Sequence, residues 1–382
     1  MRIGVDAKRA VRNNTGLGNY SRLVMEALAK EQPGRKLVAY TPDMRCNPRL
    51  KPLIELNNIE WRLPNTKEAP LGKAFWRTFG ITHSIVNDRI DLYHGLSNEL
   101  PLNIRIAHIP TVVTIHDVIW RRLPYCYKAA DRVIYDYKYG RSAVNATRVI
   151  AVSQRTKNDI AKFYGVNPDK IDVVYQGCDA SFKQPHNPGE IAKVQAEYGI
   201  QGRYIIQVGT IERRKNLDLT VRALSGLPSD VKLVAIGRDN GWLEQVKTVA
   251  ESVGVADRII YLHDVPFSQI PLLNAGATVA AYPSRYEGFG IPVIEAIESG
   301  VPVVAAKGSC LEEAGGEGAV YVDPDSPRQM AEALKFFLEN PEASEAAVKA
   351  GKIHTATFDT AKMASTLTDI YTRAINQFQG CR

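Results

Sequence analysis

Short apolar runs alternate with amphipathic stretches along the whole chain. The runs Arg2–Asp6, Lys36–Thr41, Asp91–Gly95, Thr111–Asp117, Arg148–Ser153 and Ile171–Gln176 predict buried strands. Between them Tyr20–Ala29, Phe75–Val86 and Ser153–Phe163 carry the apolar spacing of helices. From Cys178 to Gly189 the chain turns polar, with Pro185, Asn187 and Pro188, which reads as a linker. A second strand series then begins: Tyr204–Val208, Lys232–Ile236, Ile259–Leu262, Thr278–Tyr282, Val301–Ala305 and Ala319–Val322. Ser326-Pro327-Arg328-Gln329 has the form of a capping box and opens a helix to about Leu338; Thr360 to Phe378 predicts a last amphipathic helix. Strand–helix alternation throughout predicts parallel sheets with helices on both faces, an α/β fold of two doubly wound Rossmann-like halves. Ligands of such sheets bind beyond the carboxyl ends of the strands. Two facing sheets would put those ends on either side of a cleft.

Composition narrows this little. The chain has 382 residues, enough for two domains, and its makeup is that of a globular protein. No apolar run approaches the roughly 18 residues of a membrane span, and Met1-Arg2-Ile3-Gly4-Val5-Asp6 reads as a first strand, not a leader. The five cysteines, Cys46, Cys126, Cys178, Cys310 and Cys381, are scattered and form no metal-type pair, so a reducing cytoplasm is expected. The net charge of +7 admits phosphorylated substrates or anionic surfaces. No aromatic–glycine or helix-turn-helix signal supports nucleic acid as a partner.

The densest chemistry lies in Ser284–Ala296, directly after an apolar strand. Gly288 and Gly290 allow a tight turn and a close approach to a ligand, and Pro292 suits the first turn of a helix. A helix start exposes N–H groups that attract phosphate. Glu287 and Glu295 flank this turn; carboxylates repel phosphate, so their partners should be hydroxyls. Phosphate and hydroxyls held side by side describe a nucleotide sugar. Arg213, Arg214 and Lys215 follow the strand Ile205–Val208 and precede a helix, a place where crowded cations suit a phosphate clamp better than a solvated face. Gly16 and Gly18 lie in a polar loop at a helix start, and His116 with Asp117 ends the apolar strand Thr111–Ile115. Gly16-Leu17-Gly18 lacks the third glycine of a dinucleotide fingerprint, which makes a nicotinamide dehydrogenase a poor reading.

In this order, Gly16-Leu17-Gly18, His116-Asp117, Gly209 to Asn216 and Glu287 to Glu295, the chain resembles the retaining family-four glycosyltransferases of GT-B fold over nearly its whole length. The resemblance implies a first, acceptor-side domain at 1–183, rejoined by a last helix from about 362 to 382, and a donor domain at 190–361. It implies that Lys215 meets the donor diphosphate with Arg214 as helper, that His116 approaches the sugar, and that Glu287 holds sugar hydroxyls. Glu295 would hold the ribose, Gly288, Phe289, Gly290 and Ile291 would offer N–H groups, and Val265 would seat the base. Many relatives have an arginine where this chain has Thr210, which leaves Arg213 and Arg214 open as the phosphate arginine. Neither cofactor nor metal is implied. The forms Gly4-Val5-Asp6-Ala7 and Gly209-Thr210-Ile211-Glu212 resemble mannosyltransferase-like members, so GDP-mannose is the first expectation for the donor and a UDP-sugar the second. The acceptor would be a glycan or lipid-linked glycan, and the runner-up activity is a sugar-nucleotide 2-epimerase. The cations and aromatics of Ile119 to Arg141 fit either contact with an anionic membrane from the cytoplasmic side or a wet helix with inward tyrosines; the wet helix is the preferred expectation.

Overall fold

The computed structural model describes residues 1–65 and 72–380; Cys381 and Arg382 lie outside the described residues. The strands, in chain order, are β1 (Arg2–Asp6), β2 (Lys36–Tyr40), β3 (Ile59–Arg62), β4 (Leu92–Gly95), β5 (Thr111–Ile115), β6 (Arg148–Ala151) and β7 (Ile171–Val173). They continue with β8 (Tyr204–Val208), β9 (Lys232–Ile236), β10 (Ile259–Leu262), β11 (Val279–Tyr282), β12 (Val303–Ala306) and β13 (Ala319–Val322). The chain divides into two compact units, one of Met1–Gln176 with the segment from Asp359 onward, the other Gly177–Phe358.

The first unit is a parallel sheet in the order β3-β2-β1-β4-β5-β6-β7. β4 and β5 are buried at every residue, while the edge strands β3 and β7 are half exposed. That is the burial expected of a parallel sheet covered by helices on both faces. Edge position also explains why β3 is absent from the expected strands: Ile59-Glu60-Trp61-Arg62 alternates apolar with charged residues. The helix expected over Phe75–Val86 is interrupted by a wide, π-type turn at Trp76–Gly80, which contains Arg77. The last helix, Thr360–Gly380, packs on the helix Gly16–Glu31. Its Tyr371 hydroxyl lies 2.7 Å from Nδ1 of the buried His94 on β4, and Arg373 pairs with Asp172 at 2.8 Å.

The second unit repeats the design in the order β10-β9-β8-β11-β12-β13, all parallel. Its helix Pro327–Glu339 makes half of the expected capping box: the Ser326 hydroxyl accepts from the Gln329 N–H at 3.2 Å, while the Gln329 side chain accepts from the Asp323 N–H at 3.0 Å and not from that of Ser326. The stretch expected as a free linker folds onto this unit. Phe182 is fully buried, with its ring 5.9 Å from that of Phe267, and a helix begins at Pro188. One aromatic anchor thus draws a polar segment into the second unit, and the division falls at Gln176/Gly177. Both sheets are Rossmann-like, and each has a point where the strand order reverses: β1 beside β4, and β8 beside β11.

Candidate active site

At the β8/β11 reversal, two loops from distant parts of the chain are stitched together. After β8, Gly209 turns with φ of +151° and donates its N–H to Ile236 O at 2.8 Å. A Cβ on neighbouring Gly237 would stand 2.0 Å from Gly209 O, so this approach of backbone to backbone needs glycine. A tight turn, Arg213–Lys215, leads to the buried Asn216 in left-handed conformation and then to the helix Leu217–Leu224. The Asn216 amide donates to Pro283 O and Pro324 O, and the Arg285 N–H donates to Arg214 O. The Gln207 amide holds Lys215 O at 3.1 Å and is itself held by Thr220.

This stitching brings three of the expected residues onto one atom. Oε1 of Glu287 lies 2.6 Å from Lys215 Nζ and 2.8 Å from Arg214 Nη1, and accepts from the Ser284 hydroxyl. Arg214 also pairs with Glu212 at 2.8 Å and donates to Tyr286 O; Lys215 also donates to the Tyr282 hydroxyl at 2.7 Å. Burial alone would raise the Glu287 carboxyl, but the charges of Arg214 and Lys215 outweigh it and hold it at about 2. Burial pushes the Lys215 amine down, against the pull of Glu287. Arg213, by contrast, is exposed and lies over the Trp242 ring at 5.7 Å. Of the two arginines left open by the sequence, Arg214 is the one inside the cluster.

The helix Ile291–Glu298 begins at Gly290, whose φ is +122° and whose missing Cβ would meet Leu311 at 2.7 Å. Gly288 is half buried, and Ile291 is the first helical residue. Phe289 is core: its buried ring stands 5.3 Å from that of Phe358. Glu295 lies beyond the first helical turn and is half buried. Val265 is half buried in the loop after β10, separated from β8 by β9.

The remaining candidates belong to the first unit. His116 is buried after β5, its N–H donating to Asn98 Oδ1 at 2.6 Å. Its Nε2 lies 2.9 Å from Leu96 O, so that nitrogen carries the proton and Nδ1 is the acceptor. Burial pushes the imidazole down to about 4, keeping it neutral near pH 7. Asp117 accepts from the Ile119 N–H and so shapes its own loop. Gly16 is exposed at the start of its helix, with open space around it. Gly18 answers a packing demand of the loop itself. Its N–H is spent on Thr15 O at 3.0 Å, and a Cβ there would stand 1.7 Å from Asn13 O. Gly18→Ala should therefore cost about 1–3 kcal/mol of stability by overpacking, whereas Gly16→Ala should leave the melting temperature nearly unchanged. Equal melting of both variants in calorimetry would count against this assignment.

Sequence reasoning missed one cluster. At the β1/β4 reversal, Arg77 bridges Asp6 and Glu99, each at 2.7 Å, and Lys138 stands 3.8 Å from Glu99. With Tyr93 and Leu100 these groups line a small cavity of about 10 Å³, room for about one water molecule. Asp6, at the carboxyl end of β1, was the one visible signal; Arg77 and Glu99 come from separate segments.

Two Rossmann-like units, each a parallel sheet with one reversal of strand order, are the architecture of the GT-B glycosyltransferases. Comparison with known proteins gives the same class. The Glycosyltransferase Family 4 model matches residues 15–182, and the Glycosyl transferases group 1 model matches residues 191–354. The chain belongs to the family-4 glycosyltransferases, as the sequence motifs implied. It is 31% identical to O-antigen chain mannosyltransferase B of Escherichia coli over 61% of either chain. It is 29% identical to a D-inositol 3-phosphate glycosyltransferase of Corynebacterium glutamicum over 61% of this chain and 59% of that one. The match thus spans about three fifths of these relatives' lengths. In fold it superposes on Anabaena Alr3699/HepE in complex with UDP-glucose (TM-score 0.76, 20% identity, 97% of this chain and 99% of that one). It also superposes on WaaG, a glycosyltransferase involved in lipopolysaccharide biosynthesis (TM-score 0.69, 18% identity, 97% and 100%). The relatives named here are transferases, and nothing in them favours a 2-epimerase. Among the described residues, no helix is long and apolar enough to cross a membrane.

Proposed function

We propose that the second unit grips the diphosphate of a nucleotide sugar and that the chain transfers the sugar, with retained anomeric configuration, to a hydroxyl of a glycan or lipid-linked glycan. The observation that carries this reading is the meeting of Lys215, Arg214 and Glu287 at the β8/β11 reversal. Two cations beside a glycine turn and a helix start make an anion site. Negative charge builds on the departing diphosphate, and cations already in place stabilise it without reorganisation. Lys215 and Arg214 supply that countercharge without a metal. Glu287 is assigned to hydroxyls of the sugar and not to its reacting carbon, which supports front-face attack over the double displacement of many glycosidases. The leaving phosphate oxygen then takes the acceptor proton.

GDP-mannose is the proposed donor, supported by the names of the O-antigen mannosyltransferases among the relatives. A UDP-sugar is the second reading, because the HepE structure holds UDP-glucose. Thermal-shift measurements with GDP, UDP and ADP separate them. A ligand at a hundredfold excess over its Kd stabilises by about 2.7 kcal/mol, a rise of several degrees. GDP is expected to give the largest shift. A larger shift with UDP would overturn the mannose assignment but keep the site, and no shift with any nucleotide would remove the site itself. Incubation with GDP-mannose and acceptor glycans, with the product anomer read by NMR, then tests transfer and retention.

A further inference from the structure

Lys215 is a flexible four-carbon arm that has to present one charge at one point. Its stem runs beside Gly209, where an added Cβ would lie 3.6 Å from Lys215 Cε, and its carbonyl is held by the Gln207 amide. Among the described residues the ammonium has two side-chain partners, Glu287 at 2.6 Å and the Tyr282 hydroxyl at 2.7 Å. The two differ in kind. Glu287 is an anion, and in the proposed reaction it turns to the sugar hydroxyls while the diphosphate takes its place beside the cations. Tyr282 stays neutral: burial first, then the Glu287 charge, push its phenol well above the ordinary value. It therefore offers no negative charge to compete with the diphosphate.

Tyr282 is also fixed in place. It is the last residue of β11, a strand buried at every residue, and it pairs with Ala305 on β12. The carbonyl of the next residue, Pro283, accepts from the Asn216 amide, which ties the end of this strand to the loop that carries Lys215. The amine stands at the hydroxyl end of the ring, 5.0 Å from the ring centroid. The contact is thus a hydrogen bond to oxygen, not a seat over the ring face. Once Glu287 has turned away, this bond is the side-chain tie that remains on the ammonium. A neutral acceptor aims a cation without cancelling its charge, which is what a departing diphosphate requires.

We infer that Tyr282 is a positioning residue for the transfer: its hydroxyl holds Lys215 Nζ in aim after Glu287 lets go. This role rests on the proposed donor site. Tyr282→Phe in the full chain, which keeps the ring and removes the oxygen, should lower kcat by roughly tenfold or more. Nucleoside diphosphate affinity should stay nearly unchanged, because the charge of Lys215 remains. In a Lys215→Ala background the same substitution should change kcat by less than about twofold, since its effect passes through the lysine. An equal loss in both backgrounds overturns the role and makes Tyr282 a packing residue. A second readout needs no substrate. Losing an accepting oxygen disfavours the charged amine, which burial already pushes down against Glu287 and Glu212 and beside Arg214. The Lys215 titration, followed by NMR of carbon-13 lysine and identified by the resonance missing from Lys215→Arg, should therefore move to lower pH in Tyr282→Phe. The alkaline limb of kcat should move with it. A titration that Tyr282→Phe leaves in place overturns this role alone, whereas a wild-type chain that turns over no nucleotide sugar defeats the functional reading and this role with it.

Discussion

Lys215→Ala is expected to lower turnover by roughly 100- to 1000-fold, the usual cost of removing one prearranged transition-state donor. Lys215 Nζ is fixed by contacts with Glu287 and with the Tyr282 hydroxyl, and its carbonyl is held by Gln207. Such a cation needs no reordering when the diphosphate departs. The fold should survive the change, because Glu287 keeps Arg214 and Ser284 as partners and is not stranded as a lone buried charge. Lys215→Arg should recover part of the activity, since the charge returns but the point geometry does not. Steady-state kinetics with the donor varied, beside a melting curve for each variant, makes the measurement. A correctly folded Lys215→Ala enzyme with near-normal kcat would remove this lysine from the chemistry.

The reach of sequence reasoning here follows from the range of the interactions concerned. Buried central strands such as β5 and β11 are unbroken apolar runs and can be read directly, whereas the edge strand β3 cannot. The Ser326 cap and the glycine–proline start of the helix Ile291–Glu298 are local signals and are legible. The choice between Arg213 and Arg214 is not. In a turn of about three residues per revolution, adjacent side chains point about 120° apart, and only the position of Glu287, far along the chain, shows which one faces inward. The same holds for Phe182, whose burial against Phe267 turns an apparent linker into part of the second unit. Gly18 is instructive in the opposite direction: a glycine in a ligand-type loop is required there by the carbonyl of Asn13.

Glu287→Gln is expected to move two measurements in opposite directions. In the ligand-free chain the Glu287 carboxylate is itself the counter-anion of Lys215 and Arg214, held ionised with its carboxyl at about 2. An incoming diphosphate must therefore compete with it for the same cations. Two unit charges at contact distance attract by about 4 kcal/mol near a protein surface, so replacing the acid by its neutral isostere should tighten nucleoside diphosphate binding, by about tenfold if a third of that competition is relieved. Transfer should nevertheless fall by at least about 100-fold. The reason is that a carboxylate released from its cations by the diphosphate is the group proposed to grip the sugar hydroxyls, and glutamine grips them more weakly. Calorimetric titration with the nucleotide alone, beside turnover with the nucleotide sugar, reads both quantities. Misfolding would weaken both together, and a purely structural role for Glu287 would leave turnover near normal in a folded variant. Only an acid that serves in turn as counter-ion and as sugar ligand raises one while lowering the other.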